Sequence, residues 1–208
     1  AFYEMYQVKY EVVRNATFLQ AHQKPLQTNN KFILYQGAVN EGRSFETLIP
    51  AMKEVDCKLI ICGEGNFFEQ AKALVIAHQL QDKIEFKGYV EPSQLRLYTQ
   101  QATIGITLFT NQGKSNFLSM ANRFFDYMHA GVPQLCVAFP EYKKVNEQFE
   151  ISYLIEDTHE NTISQALNTL LNDHALYQHL QQQCLKAREV YCWQQEEIKL
   201  ISFYKSIF

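Results

Sequence analysis

Residues 117–133 read FLSMANRFFDYMHAGVP, and the next residues, 134–138, read QLCVA. Phe124, Phe125, Tyr127 and Met128 give the first stretch the apolar spacing of an amphipathic helix. Gly131 and Pro133 then stop it, as a glycine just past a helix end and a proline soon after commonly do. The short apolar run that follows has the length and flanks of a buried strand. A helix that feeds a buried strand through one tight turn is half of a βαβ unit.

The same unit recurs on both sides. Upstream, Phe32-Ile33-Leu34-Tyr35 is an apolar run ended by Gly37, and Phe45, Leu48, Ile49, Met52 and Val55 follow at helical spacing. Residues 58–62, KLIIC, repeat the strand, with Phe67, Phe68, Ala71, Leu74 and Val75 marking its helix. Strands are also predicted at 83–86 and 103–109, with a helix between them that carries Pro92 in its first turn. Downstream, residues 152–155 suit a sixth strand, and from Asn161 the pattern is wholly helical. Short buried strands alternating with helices predict an α/β fold, a doubly wound, Rossmann-like parallel sheet with C-terminal helices. Residues 1–30 do not join this rhythm. They read as the end of a preceding domain and a polar linker, so the expected organisation is 1–30, a sheet domain over 31–190, and a terminal helix over 191–208.

Bulk properties exclude several classes. The chain has 208 residues, 47% apolar and 20% charged, with a net charge of −3. No basic field points to nucleic acid. No apolar run reaches the roughly 18 residues of a membrane helix, and the start has no signal-peptide core. Five cysteines, an odd number without zinc-site spacing, lie mostly in apolar runs, which suits buried reduced thiols in a cytoplasmic protein. The histidines have no metal-ligand spacing. There is no D-x-D, no G-x-S-x-G and no P-loop, so no metal, hydrolase or triphosphatase site is expected.

In a doubly wound sheet, ligands bind beyond the carboxyl ends of the strands. The turns at Gly37–Ser44, Gly63–Asn66, Lys87–Glu91 and Phe109–Asn122 are therefore the candidate rim. Arg43 enters its helix there, either as a guanidinium for phosphate or as a solvated helix-start residue. Gly63 and Gly65 either permit a tight turn or let backbone approach a ligand, and they lack the third glycine of a dinucleotide fingerprint. Asn122 and Asp126 share a helix face at i,i+4, with Arg123 and His129 expected at its margins. Asp126 could accept from two adjacent hydroxyls, as on a ribose, or pair with Arg123, or be solvated.

In order and spacing, ILYQGAVNEGRSFETLIPAM, LIICGEGNFFEQ, KIEFKGYVEPSQLRLYTQQATIGI and NRFFDYMHAGVPQLCVAFPEY resemble the C-terminal, donor-binding domain of the group 1 glycosyltransferases of GT-B fold. The resemblance runs from about Phe32 to the end, while residues 1–20 look like the end of that family's N-terminal, acceptor-binding domain. It implies an enzyme fragment that takes a sugar from a nucleotide diphosphate-sugar donor to an acceptor hydroxyl, with retention and without a metal or other cofactor. The resemblance implies polysaccharide or glycoconjugate synthesis. The acceptor, a saccharide or lipid-linked one, would be held by the other half, with peripheral membrane contact in the full protein.

The resemblance also implies roles. Gly37 matches the family's loop glycine, Ala38 stands where that loop carries an arginine, and Arg43 and Ser44 stand for its lysine and glycine. Asp126 takes the second of two carboxylate positions, the ribose-binding one, and Leu118 falls on the first. Asn122-Arg123-Phe124-Phe125-Asp126-Tyr127-Met128 resembles the Asn-Lys-x-x-Glu-Tyr-Met version of the motif. Tyr89 and Val90 lie in the turn that reads the base through backbone groups. The departures at Ala38 and Leu118 keep a non-catalytic binding or scaffolding module as an alternative. A sugar-nucleotide epimerase of the same fold is another.

Overall fold

The computed structural model describes residues 6–8, 10–21 and 31–207; of the linker expected over 20–30, residues 22–30 lie outside them. Six parallel strands form one sheet: β1 (Phe32–Gln36), β2 (Lys58–Cys62), β3 (Ile84–Gly88), β4 (Ile104–Thr107), β5 (Gln134–Val137) and β6 (Ser152–Ile155), in the order β3-β2-β1-β4-β5-β6. Every pairing is parallel, as the apolar runs predict, and β1, β4 and β5 are buried at every position. The order reverses between β1 and β4, so these strands bound the switch-point crevice.

Nine helices are described: α1 (Phe45–Ala51), α2 (Phe68–Ala77), α3 (Pro92–Gln101), α4 (Lys114–Leu118), α5 (Asn122–Ala130), α6 (Pro140–Gln148), α7 (Glu160–Asn172), α8 (His174–Val190) and α9 (Trp193–Ile207). The larger core lies against Ile33, Tyr35, Leu59, Ile61, Ile104 and Ile106 and takes in Phe45, Leu48, Phe124 and Leu167. Alternate strand residues, Phe32, Leu34 and Cys62, face a smaller cluster with Tyr127 and Val132. That alternation follows from the two-residue period of a strand. The five cysteines are all free and buried, and burial pushes Cys136 up to about 12, which keeps its thiol protonated.

The segment that decides the fold differs from expectation at its start. Residues 114–118 form the separate helix α4, and Ser119 and Ala121 are extended. Helix α5 therefore begins only at Asn122. It ends at Gly131, which is left-handed at φ 71°. Gly105 on β4 lets α5 approach the sheet closely: a Cβ there would meet the Tyr127 ring at 2.5 Å. Tyr127 then donates its hydroxyl hydrogen bond to the Leu34 carbonyl at 2.8 Å. Buried Gln134 completes the anchor, accepting from Thr107 and donating to the Phe124 carbonyl at 3.0 Å. These three contacts fix the position of α5, and with it Asp126, relative to the end of β1.

Candidate functional site

A cleft of about 440 Å³ opens beside the end of β1, with Thr17, Gln36, Leu95, Arg96, Thr99 and Asp126 among its walls. Asp126 is a half-buried part of its wall. Its Oδ2 accepts from Gln36 Nε2 at 3.0 Å, and its Oδ1 accepts from the Thr17 hydroxyl at 2.8 Å. Gln36 is oriented in turn by the Thr99 hydroxyl, 2.7 Å from its Oε1. Each carboxylate oxygen has two acceptor sites, so each keeps one to offer. Burial raises the Asp126 pKa, against the hydrogen bonds from Thr17 and Gln36 and the charge of Arg96. Asp126 thus pairs with neutral donors, and not with Arg123.

The first turn of α5 corrects the expected geometry. Asn122 is exposed, but Arg123 is only 8% exposed and His129 is also buried. Neither lies at the margin of a solvated face. Because α5 starts at Asn122, its second residue turns inward beneath the loop after β1. Arg123 Nη1 approaches the Tyr35 hydroxyl and the Gln36 carbonyl at 3.4 Å each, and its guanidinium stacks on Tyr35 and Phe109. Arg43 reaches the same Phe109 ring, 4.4 Å from its centroid, and donates to Asn116 Oδ1 at 3.0 Å.

The rim residues are joined mostly through backbone. Gly37 N–H donates to the Cys62 carbonyl, Gly63 N–H to the Gly88 carbonyl, and Val39 N–H to the Glu64 carbonyl. Gly63, at φ 139°, has a packing reason to be glycine: a Cβ would lie 1.9 Å from the Gly37 carbonyl oxygen. Gly65 is nearly as tight, its Cβ position 2.4 Å from the Val39 carbonyl oxygen. Tyr89 is 67% exposed and its N–H donates to Glu64 Oε1 at 3.2 Å, while Val90 is half-buried in the smaller cluster. The structure therefore gathers Gly37, Arg43, Arg123 and Asp126 around the end of β1. It sets Gly63, Gly65 and Tyr89 along the adjoining rim, with Asn122 at the helix entrance.

Sequence reasoning missed Gln36, Thr99, Thr17 and Arg96. Gln36 carried a signal: it is the polar residue that ends the apolar run FILYQ, and it is buried. Thr17 carried none, since its contact with Asp126 spans 109 residues. The segment bearing it is held elsewhere too. Trp193 N–H donates to the Thr17 carbonyl, Leu19 and Gln194 exchange two hydrogen bonds, and the buried Glu196 accepts from Arg14 N–H.

A buried parallel sheet of this strand order, with a polar cleft at its switch point, defines a doubly wound ligand-binding domain. The pattern that defines the glycosyl transferases group 1 family matches residues 18–187, and the chain belongs to that family. It is 27% identical over 182 residues to an N-acetylgalactosamine-N,N'-diacetylbacillosaminyl-diphospho-undecaprenol 4-alpha-N-acetylgalactosaminyltransferase of Campylobacter jejuni, covering 81% of this chain and 46% of the relative. It is 26% identical over 143 residues to the poly(glycerol-phosphate) alpha-glucosyltransferase of Bacillus subtilis, covering 67% of this chain and 20% of that one. The chain thus spans less than half the length of these curated relatives. Among solved structures, Anabaena HepE in complex with UDP and glucose superposes with a TM-score of 0.73 at 12% identity, over 85% of this chain and 49% of that one. TarM of S. aureus superposes with the same score at 16% identity, over 95% and 40%. These likenesses match the fold.

Proposed function

We propose that this chain is the donor-binding half of a glycosyltransferase that moves a sugar from a nucleoside diphosphate to an acceptor hydroxyl. The observation that carries the reading is Asp126: a carboxylate fixed by two neutral donors at the switch point, with one acceptor site left on each oxygen. Two vicinal ribose hydroxyls fit that pair of acceptors. In this reading Arg43 faces the diphosphate, Tyr89 and Val90 border the base, and Asn122 stands beside the donor. Gly37, Gly63 and Gly65 bring the loop backbones close. In transfer, the acceptor oxygen bonds to the anomeric carbon as the bond to the diphosphate breaks. The nucleoside diphosphate leaves with the electron pair and takes up the proton that the acceptor hydroxyl gives up, and cations near it stabilise its charge.

The names of both curated relatives specify α-linked products, which supports retention from an α-linked donor in glycoconjugate or polysaccharide synthesis. In this reading Arg43 takes up part of the phosphate charge and the site works without a metal. Acceptor binding belongs to the other half of the whole protein, and residues 10–21 with α9 belong to the junction between the halves. No described helix is long and apolar enough to cross a membrane, which agrees with work at the cytoplasmic side.

The test is a thermal-shift panel of UDP, GDP, ADP and their sugar conjugates, since a ligand of the native state raises the melting temperature. HepE was crystallised with UDP, so UDP comes first. A rise with one nucleotide is expected; no shift with any of them removes the donor reading. Ala38 and the half-exposed Leu118 favour a second reading, a non-catalytic nucleotide-sugar-binding module. That module would show the shift, but no transfer by the full-length protein.

A further inference from the structure

The cleft continues well past the residues assigned to the donor. Of those residues Asp126 lines it, while Arg43, Tyr89 and Asn122 do not. A crossover helix runs back from the carboxyl ends of the strands towards their amino ends. The walls follow α3 from Pro92 to Gln100 and α5 from Asp126 to Ala130, about 12 Å and about 6 Å along the two helix axes. The half of the cleft at Leu97, Gln100 and Ala130 therefore lies away from the rim. A further wall comes from Thr17, Phe18, Gln20 and Ala21. That strap is fastened at Gln20, whose carbonyl accepts from Arg188 Nη2 and whose Oε1 accepts from Arg96 Nη1, at 2.8 Å each.

The charges around this far half cancel. Arg188 spends Nη1 on the His129 carbonyl and Nη2 on Gln20, and its Nε lies 3.5 Å from Glu189. Burial lowers the His129 pKa, so its ring is neutral at pH 7. Arg96 and Asp126 remain, one of each sign, and an ionic ligand of either sign meets a like charge. Unspent hydrogen-bonding groups are plentiful by contrast. Among the described residues, the Gln100 amide, Gln20 Nε2 and Arg96 Nε and Nη2 have no partner within the protein. Phe18 and Leu97, 59% and 48% exposed, give the same space an apolar side. A ligand that answers all of this is neutral, carries groups that both donate and accept, and has an apolar face. Hydroxyl groups meet the second requirement, and the C–H face of a pyranose ring meets the third. The 440 Å³ of the cleft leave room for such a ring beyond Asp126.

We infer that the far half of the cleft is a second small-molecule site, for a neutral mono- or disaccharide held by Gln100 and Arg96 against Phe18 and the strap at Gln20. The site goes beyond the donor reading and does not depend on it. Its ligand bridges α3 and the strap, and Thr17 joins the strap to Asp126. Occupancy of the two sites is therefore linked, and both can be filled together.

The experiment is saturation-transfer NMR on the whole chain with glucose, N-acetylglucosamine and maltose as probes, and glucuronate as the charged counterpart of glucose. At least one neutral saccharide is expected to bind, to remain bound at saturating UDP, and to bind about fivefold more weakly in Gln100→Leu, the scale of one lost hydrogen bond. UDP should raise the melting temperature of Gln100→Leu as it does that of the native chain. Absence of binding by every saccharide overturns the inference, as does native affinity in Gln100→Leu or tighter binding of glucuronate than of glucose. Full displacement of the saccharide by UDP also overturns it, because the sugar then occupies the donor's own place. If UDP has no effect on any form, the donor reading falls, while Gln100-dependent saccharide binding keeps this site. Should Gln100→Leu fail to fold, Leu97→Trp replaces it: it fills the same space from an exposed position, so saccharide binding should weaken, and unchanged binding overturns the inference.

Discussion

Gln36 at the end of β1 and Asp126 in the middle of α5 meet through one hydrogen bond of 3.0 Å, across a sequence separation of 90 residues. The bond ties the carboxylate to the strand whose loop forms one side of the crevice. Asp126→Ala should weaken UDP binding by about 1–3 kcal/mol, the scale of hydrogen bonds to a charged group. Calorimetry on the folded variant checks this, and unchanged affinity would remove the ribose assignment.

The protonation of Asp126 gives a second prediction. Its folded pKa lies above the ordinary 3.8 because of burial, so the folded chain holds the proton more tightly than the unfolded one. The contribution of this group to stability is therefore most favourable below 3.8 and is lost as pH rises through the raised value. The Thr17 hydrogen bond favours the carboxylate, so Thr17→Val should move the midpoint higher still. Carbon-detected NMR titration of the Asp126 carboxyl reads both; a midpoint below 3.8, or one that falls in Thr17→Val, contradicts the account.

Backbone packing under the rim predicts two different outcomes for the same change. Gly63→Ala combines a φ of 139° with a Cβ 1.9 Å from a carbonyl oxygen, and should cost about 3 kcal/mol or more. Gly113, at φ 84°, has nothing within 4 Å of its Cβ position, so Gly113→Ala should cost only the backbone strain, about 1–3 kcal/mol, without the clash. Urea melts of the two variants compare them directly. Equal losses would show that the contact between the first two loops is looser than described.

Much of this architecture was legible in residues 32–155. Apolar runs such as FILYQ and KLIIC, each followed by glycine, named the strands, and the helical spacing between them made the sheet parallel. Asp126 was legible because a carboxylate within an amphipathic helix is conspicuous. The inward turn of Arg123 was not, because it depends on the helix starting at Asn122, and the extended residues Ser119 and Ala121 have no strong breaker among them. Thr17 and Thr99 were hidden for another reason. Their roles come from contacts between distant segments, which local periodicity does not encode.

Glu196 supplies a fourth prediction. It is fully buried, accepts from Arg14 N–H at 3.0 Å, and pairs with Lys199 at 2.7 Å. Burial pushes its pKa up, but the hydrogen bonds from Lys199 and Arg14 outweigh it, and the net shift is downward. Glu196→Ala leaves the Arg14 N–H without its acceptor and should cost about 1–3 kcal/mol. It should also speed protease cleavage within residues 10–21; an unchanged cleavage rate would mean that the contacts of Thr17, Leu19 and Gln20 hold the segment without Glu196.

Thr17 has two attachments of opposite kind: its hydroxyl donates to Asp126, while its carbonyl accepts from Trp193 N–H at the start of α9. A single residue is therefore a hinge pin between the cleft and the C-terminal helix. A ligand that draws the hydroxyl away from Asp126 loads the carbonyl attachment as well, and thermodynamic reciprocity makes the coupling run both ways. An effector that bound α9 and was coupled to the cleft through Thr17 would change the cleft's affinity by the same factor by which the cleft's ligand changes its own.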